Sequence, residues 1–331
     1  MMRQLLIVGL VRSTQYTLKK ALAVSIFAVA VGAAFSQDLA PRAYTIAPVH
    51  SNAITIAGAH ATGSILLDAV LPIPDSSGDS WASSVTYYHS MNFFGRYSNA
   101  TVTLPYAVSD VQGTLNGIET TSHLSGLLGV DLRFSVNLLG GPAMDLAHFR
   151  KWKQKTVLGT SVVVIAPTGQ YDPTKLINLG SNRWSFRPEL GYSRRLANWV
   201  FDLYGGAWLF TTNHDYFSRN QYLPGTNTQT QNPMGSFQGH ISYDINPRIP
   251  RLWASLDGNF WFGGKTSLNG VENPDTQAAN SCIGFSFSVP VPKTRRQSLK
   301  FNYGNGVLTE FGPDSRNVAV AWQYSWIGRP Q

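Results

Sequence analysis

The sequence carries one cysteine, Cys282, in 331 residues. A single thiol cannot form an intrachain disulfide, so cysteine pairing does not hold this chain together. Charge is scarce too: 13% of residues are charged, against roughly 25% in a typical soluble domain. Past the first 36 residues there is no run of about 20 apolar residues, and the mean hydropathy is -0.09. These exclude a bundle of transmembrane helices. The histidines, at 50, 60, 89, 123, 148, 214 and 240, show no His-Glu-x-x-His or paired-ligand spacing. Gly169 in Pro-Thr-Gly-Gln-Tyr-Asp stands alone with no Gly-Lys-Ser or Gly-Lys-Thr after it, so this is not a phosphate loop. No metal or cofactor is expected.

Aromatics, at 12%, and 30 glycines are what the chain has in quantity. The N-terminus adds Lys19 and Lys20, an apolar run over 21–35, and Ala-Phe-Ser before Gln37. That order of charge, apolar run and small residues predicts a secretory signal peptide over 1–36, with the mature unit spanning 37–331. Cleavage after Ser36 removes four of the 26 basic residues and no acids, so the formal charge falls from +8 to +4. Most of the basicity is therefore targeting, and no nucleic-acid partner is expected.

The organising stretch is 124–138. Every second residue gives Leu124, Gly126, Leu128, Val130, Leu132, Phe134, Val136 and Leu138, while Ser125, Asp131, Arg133, Ser135 and Asn137 fall between. A helix would scatter Asp131 and Arg133 into the apolar stripe, whereas a period of two places both on one face of a strand. About 15 residues is long for a globular strand but suits a tilted strand crossing a bilayer. The same alternation recurs along the chain. It includes Trp81, Val85 and Tyr87; Val102, Leu104 and Tyr106; Trp199, Phe201 and Leu203; Ile283, Phe285 and Phe287; and Val318, Val320 and Trp322.

About twelve such strands predict an all-β fold, a transmembrane antiparallel up-and-down β-barrel. Short and long polar connections tend to alternate, as periplasmic turns and outer loops do, with both termini periplasmic. Residues 41–49 read as a loose lead-in, 110–122 as a polar loop, and 140–155 as a long periplasmic exception, a short helix or an irregular segment carrying a solvated basic cluster.

The segments Pro167-Thr-Gly-Gln-Tyr-Asp-Pro173, Leu176-Ile-Asn-Leu-Gly-Ser-Asn-Arg-Trp184 and Phe186-Arg-Pro-Glu-Leu-Gly-Tyr192 resemble the outer-membrane transporter family labelled meta-pathway of phenol degradation protein. The closing Val320-Ala-Trp-Gln-Tyr-Ser-Trp326 is similar as well. The resemblance implies a bacterial outer-membrane barrel associated with transport of aromatic or other hydrophobic compounds. It implies lipid and the barrel-assembly machinery as partners. The family's aromatic terminus is followed here by five further residues, 327–331.

With apolar faces toward lipid, the opposite faces line a lumen. The expected solute path comprises Asp131, Arg133, Arg187, Glu189, Asp202, Tyr204, Trp208, Asp257, Asn259, Trp261 and Lys300, with His240, Asp244, Phe210 and Trp253 on the same faces. Mixed signs favour charges paired between neighbouring strands, because an unpaired buried charge is costly. The balance also argues against strong ion selectivity. Cys282 is expected to be a small lumen-facing residue.

The function this supports is passage or binding of small hydrophobic or aromatic solutes with no catalytic residue and no chemical conversion. One alternative is a structural or surface-interaction barrel with a plugged lumen and long binding loops. Another is a lipase built on His123-Leu-Ser125, similar to the His-x-Ser dyad of outer-membrane phospholipases. A regular strand through Leu124 would turn both dyad side chains inward, away from lipid.

Overall fold

The computed structural model describes residues 41–66, 77–115, 118–175, 177–220, 224–294 and 296–328. The expected signal peptide, 1–36, lies outside them. The elements in chain order are β1 (Ser51–Leu66), β2 (Ser77–Phe93), β3 (Arg96–Leu115), β4 (Ile118–Leu127), β5 (Asp131–Leu139), α1 (Leu146–Lys151), β6 (Thr156–Ile165), β7 (Ser185–Leu196) and β8 (Trp199–Phe210). They continue with β9 (Gln229–Gln231), β10 (Met234–Asp244), β11 (Trp253–Gly263), β12 (Thr266–Leu268), β13 (Val271–Asn273), β14 (Ala278–Pro290), β15 (Gln297–Leu308) and β16 (Gly312–Ile327).

Each stave pairs antiparallel with the next, and β16 returns to β1 from Ser51↔Ile327 through to Leu66↔Gly312. Because β4 and β5 both lie on β3 and form one stave, the barrel closes with 12 strands and has no free edge. The remaining short strands, β9, β12 and β13, make a separate three-stranded sheet in the outer loops.

Alternation sets the two faces. Ile56, Val85, Leu104, Leu203, Phe237, Leu256 and Val320 all point outward and are exposed, Leu256 by 64%. Leaving so much apolar surface in water would be unfavourable at about 25 cal/mol per Å², so this belt faces lipid. Trp199 and Tyr243, with ring centroids 4.7 Å apart, border it near the short β7–β8 turn, and Trp81 and Trp184 border it at the far end. Such aromatic girdles mark the two membrane interfaces.

The organising strand departs from its expected regularity. Leu104 and Pro105 on β3 face Leu128, Gly129 and Val130, a two-against-three bulge between the Tyr106↔Leu127 and Thr103↔Asp131 pairs. Pro105 has no N–H to give the ladder and accepts from the Leu128 amide at 3.0 Å instead. The extra residue reverses the phase. Leu132, Phe134 and Val136 face lipid as expected, but Leu124 and Leu128 turn inward and pack with Ala107, Val111 and Leu179. His123 and Ser125 consequently point outward, correcting the expected inward dyad.

Two loops are also corrected. Residues 110–115 and 118–122 continue β3 and β4 as a hairpin above the lipid belt. Beyond Val111, which packs with Leu128, the side chains there are mostly polar on both faces, so no apolar alternation signals the hairpin. Strand β2 likewise begins at Ser77, within residues 72–80, whose Pro-Ile-Pro-Asp-Ser-Ser-Gly-Asp-Ser order predicts a loop.

Candidate functional site

Along β7, the inward side chains run from Ser185 at the outer end through Arg187, Glu189, Gly191 and Ser193 to Arg195 at the periplasmic end. On β8 the matching residues are Phe210, Trp208, Gly206, Tyr204 and Asp202. Asp131 and Arg133 on β5, Asp257, Asn259 and Trp261 on β11, and Lys300 on β15 have the same inward phase. Every residue of the expected solute path thus points into the barrel, as does Cys282 opposite Asn259.

The charges are braced unevenly. Asp257 accepts from His240 Nδ1 at 2.8 Å, Ser255 Oγ at 3.0 Å and Ser286 Oγ at 2.6 Å, and Asn302 extends the chain to Ser286. Asp244 is bonded by both Arg42, at 2.6 Å, and Arg195, at 2.5 Å. Arg187 lies 3.8 Å from Glu189. Arg133 donates to Asn99 at 3.3 Å, and its Nε and Nη2 are buried without an acceptor among the described residues.

The lead-in is the main surprise. Residues 41–50 enter the barrel and run along its inner wall. The Arg42 amide donates to Asp202 at 3.0 Å, the Ala43 amide to the Tyr204 hydroxyl at 3.1 Å, and the Tyr44 hydroxyl to Glu189 at 3.0 Å. Further on, the Val49 amide reaches the Met144 carbonyl and the His50 amide the Ser90 carbonyl. The Tyr44 ring rests on Gly159 and Gly191, which face each other across β6 and β7. A Cβ at either glycine would fall inside the ring, so the two bare backbones form the groove that admits it.

Tyr44 and Ile46 are buried together with Tyr97, Val157 and Tyr204. Full burial of such side chains contributes about 1.5–3 kcal/mol each. Phe149 and Trp152, on and just after α1, pack against this cluster from below. The long periplasmic link therefore has a structural role: it seats the strap formed by residues 41–50.

The opposite wall carries small side chains at mid-height, with Ala82 packed against the cluster of Leu128 and Leu179. Ala57 and Ala59 on β1, Ala82 and Ser84 on β2, and Ala319 and Ala321 on β16 share the inward face, because Ala57 pairs with both Ala321 and Ser84, and Ala59 with both Ala319 and Ala82. The lumen thus has one bulky, charged arc holding the strap and one arc of small side chains.

At the outer end the loops lock together. The Asn213 amide and carbonyl pair with Gln229, the Tyr171 hydroxyl donates to the Asp215 carbonyl, and the Ser218 amide donates to the Pro173 carbonyl. Beneath them Arg183 is 2% exposed, and burial pushes its guanidinium down to about 10, still cationic at neutral pH.

Sequence reasoning missed Arg42, Tyr44 and Arg183 because none sits on an alternating strand. The glycines opposite each other on β6 and β7 were the one available signal for Tyr44. The inward alanines were visible, but small residues on both faces obscured the phase of β1.

Among solved structures, the chain is similar to the COG4313 outer membrane channel from Pseudomonas putida F1. The identity is 18% over 87% of this chain and 100% of that one, with a TM-score of 0.69. It is more distantly similar to the beta domain of the Bordetella autotransporter BrkA, at 12% identity, 84% and 100% coverage and a TM-score of 0.48. No curated protein matches. The lipid belt, the two girdles and the closed barrel make this a bacterial outer-membrane protein. Residues 59–321 match the family described as "Putative MetA-pathway of phenol degradation", and the chain belongs to that family.

Proposed function

We propose that this barrel is a channel that passes small hydrophobic or aromatic solutes across the outer membrane without chemical change. The observation that carries the reading is the division of the lumen. The strap and its charged partners occupy one arc, while Ala57, Ala59, Ser84, Ala319 and Ala321 give the facing arc small side chains at mid-height. A solute moving along the small-residue arc meets apolar methyl groups on one side. On the other it meets the partly exposed Trp261 and Lys300, with Tyr204 and Trp208 buried in the wall behind. The family's association with phenol degradation supports an aromatic solute. Planar-bilayer conductance together with uptake of phenolics by cells lacking the protein tests this. Ion flow and slowed uptake in the deletion strain are expected; their joint absence refutes passage.

The second reading, a plugged barrel with structural or surface-binding work, is favoured by one observation: residues 41–50 lie inside the lumen, held at Asp202, Tyr204, Glu189 and Asp244. Under that reading, removing 41–50 opens a conductance that the intact protein lacks. Under the channel reading, it only enlarges one already present.

A further inference from the structure

The outer half of the lumen contains donors with no acceptor among the described residues. Arg183 lies two residues before the start of β7, and its Cζ stands 4.5 Å from the centre of the inward Phe210 ring. One of its terminal nitrogens donates to the Gln231 side chain, but Nε and Nη1 are buried and unpaired. The indole N–H groups of Trp208 and Trp261 are likewise buried without an acceptor. Trp208 is 1% exposed, and Phe210 and Trp261 pack against the same cluster.

Buried N–H groups are nearly always satisfied, because leaving one without a partner costs its full desolvation. Here two nitrogens of Arg183, which stands over Phe210, and the indoles of Trp208 and Trp261, which pack in one cluster with Phe210, lack acceptors among the described residues. No carboxylate among the described residues forms an ion pair with Arg183. Asp131 faces Arg187 and Arg133 instead, and Glu189 is held by Arg187 and Tyr44. The unmet demand is for an acceptor that carries negative charge, and the surrounding surface is aromatic.

We propose that Arg183, Trp208, Phe210 and Trp261 form a binding subsite for an aromatic carboxylate. The carboxylate accepts from the Arg183 guanidinium and the indole N–H groups, and the aryl ring packs against Phe210 and Trp261. This rests on the channel reading and narrows its solutes from neutral aromatics to aromatic acids. A neutral hydrocarbon would fill the aromatic surface but leave every donor unsatisfied. A small inorganic anion would satisfy the donors but not the rings.

Calorimetric titration of the full, refolded protein in detergent with benzoate, benzyl alcohol and acetate tests the subsite. Benzoate is expected to bind about tenfold or more tightly than either of the others, as a charge-assisted contact requires. Arg183→Gln is expected to abolish that preference while leaving benzyl alcohol binding within about twofold. Trp208→Phe, which keeps the ring but deletes the N–H, is expected to weaken benzoate by about threefold to tenfold. Heat-modifiable migration verifies folding, and if Arg183→Gln fails to fold, Trp208→Phe decides. Benzoate binding no tighter than benzyl alcohol in the unmodified protein, or unchanged in the folded variants, overturns the subsite. Conductance read in parallel separates the two proposals: a silent barrel that still prefers benzoate refutes passage alone, and a conducting barrel without that preference refutes the subsite alone.

Discussion

Tyr44 donates its hydroxyl to the Glu189 carboxylate at 3.0 Å, joining a residue outside every strand to the middle of the barrel wall. Its ring lies in the groove between Gly159 and Gly191, and this one side chain ties the strap to two staves. Gly191→Val puts a branched side chain where the ring sits. The strap is expected to leave the wall and bilayer conductance to rise, whereas Tyr44→Phe, which keeps the ring and loses about 1 kcal/mol of hydrogen bonding, should change conductance little. Equal conductance in Gly191→Val and the unmodified barrel would count against the strap as an obstruction.

Asp244 holds both Arg42 and Arg195. Asp244→Asn keeps the shape but removes the charge both guanidinium groups rely on, leaving Arg42 partly buried and uncompensated. A loss of about 3 kcal/mol is expected, the usual scale for breaking a buried pair from one side. Guanidinium unfolding in lipid vesicles measures it, and protease cleavage within residues 41–50 should increase in the same variant.

Leu203 lies midway along the outward face of β8, between the Trp199 girdle and the outer end. Leu203→Arg is expected to cost about 2–4 kcal/mol in vesicle unfolding, as an arginine at the bilayer midplane does. The outward Arg316, on the Thr62 and Asp79 row beyond the apolar belt, tolerates exchange to Leu with little change. Similar costs at the two positions would misplace the membrane.

His123 and Ser125 point outward, His123 Nδ1 lies 2.7 Å from Asp110, and no hydrogen bond joins Ser125 to His123. Without that bond the hydroxyl lacks its base. Purified protein is expected to release no fatty acid from phospholipid vesicles with calcium. Release that disappears in Ser125→Ala would establish an enzyme instead.

Asp145 caps α1, accepting from the His148 amide and from Nδ1 at 2.8 Å each, and these bonds hold its carboxyl below the ordinary value. A depressed folded pKa means the cap contributes fully above the unfolded value, near 3.9, and is lost as pH falls through the lower folded value. Amide exchange at His148 is expected to accelerate below about pH 4 relative to its intrinsic rate. Asp145→Asn should remove that step.

Much of the barrel could be read directly from residue order. The alternation of Val318, Val320 and Trp322, or of Phe285 and Phe287, needs no knowledge of neighbours, since any strand with one lipid face and one lumen face writes it. For the same reason the inward placement of Asp131, Arg187, Asp202 and Asp257 follows from strand phase alone. The stretch 124–138 was legible only in its second half, because the bulge opposite Pro105 depends on a residue some twenty positions earlier. Residues 110–122 were misread because a hairpin outside the membrane has no apolar face to display.

The sequence by itself determined the all-β class, the strand phase and the population of charges facing the lumen, because these follow from a local period of two imposed by the bilayer. Only the tertiary structure decided how that population is used. It brought Tyr44 to Glu189, Arg42 to Asp244 and Arg183 to Phe210, across separations that leave no periodic trace. Pairing of buried charge depends on such long-range contacts. A near-balanced composition therefore concealed guanidinium and indole donors without an acceptor at the outer end and a strap along the wall below them.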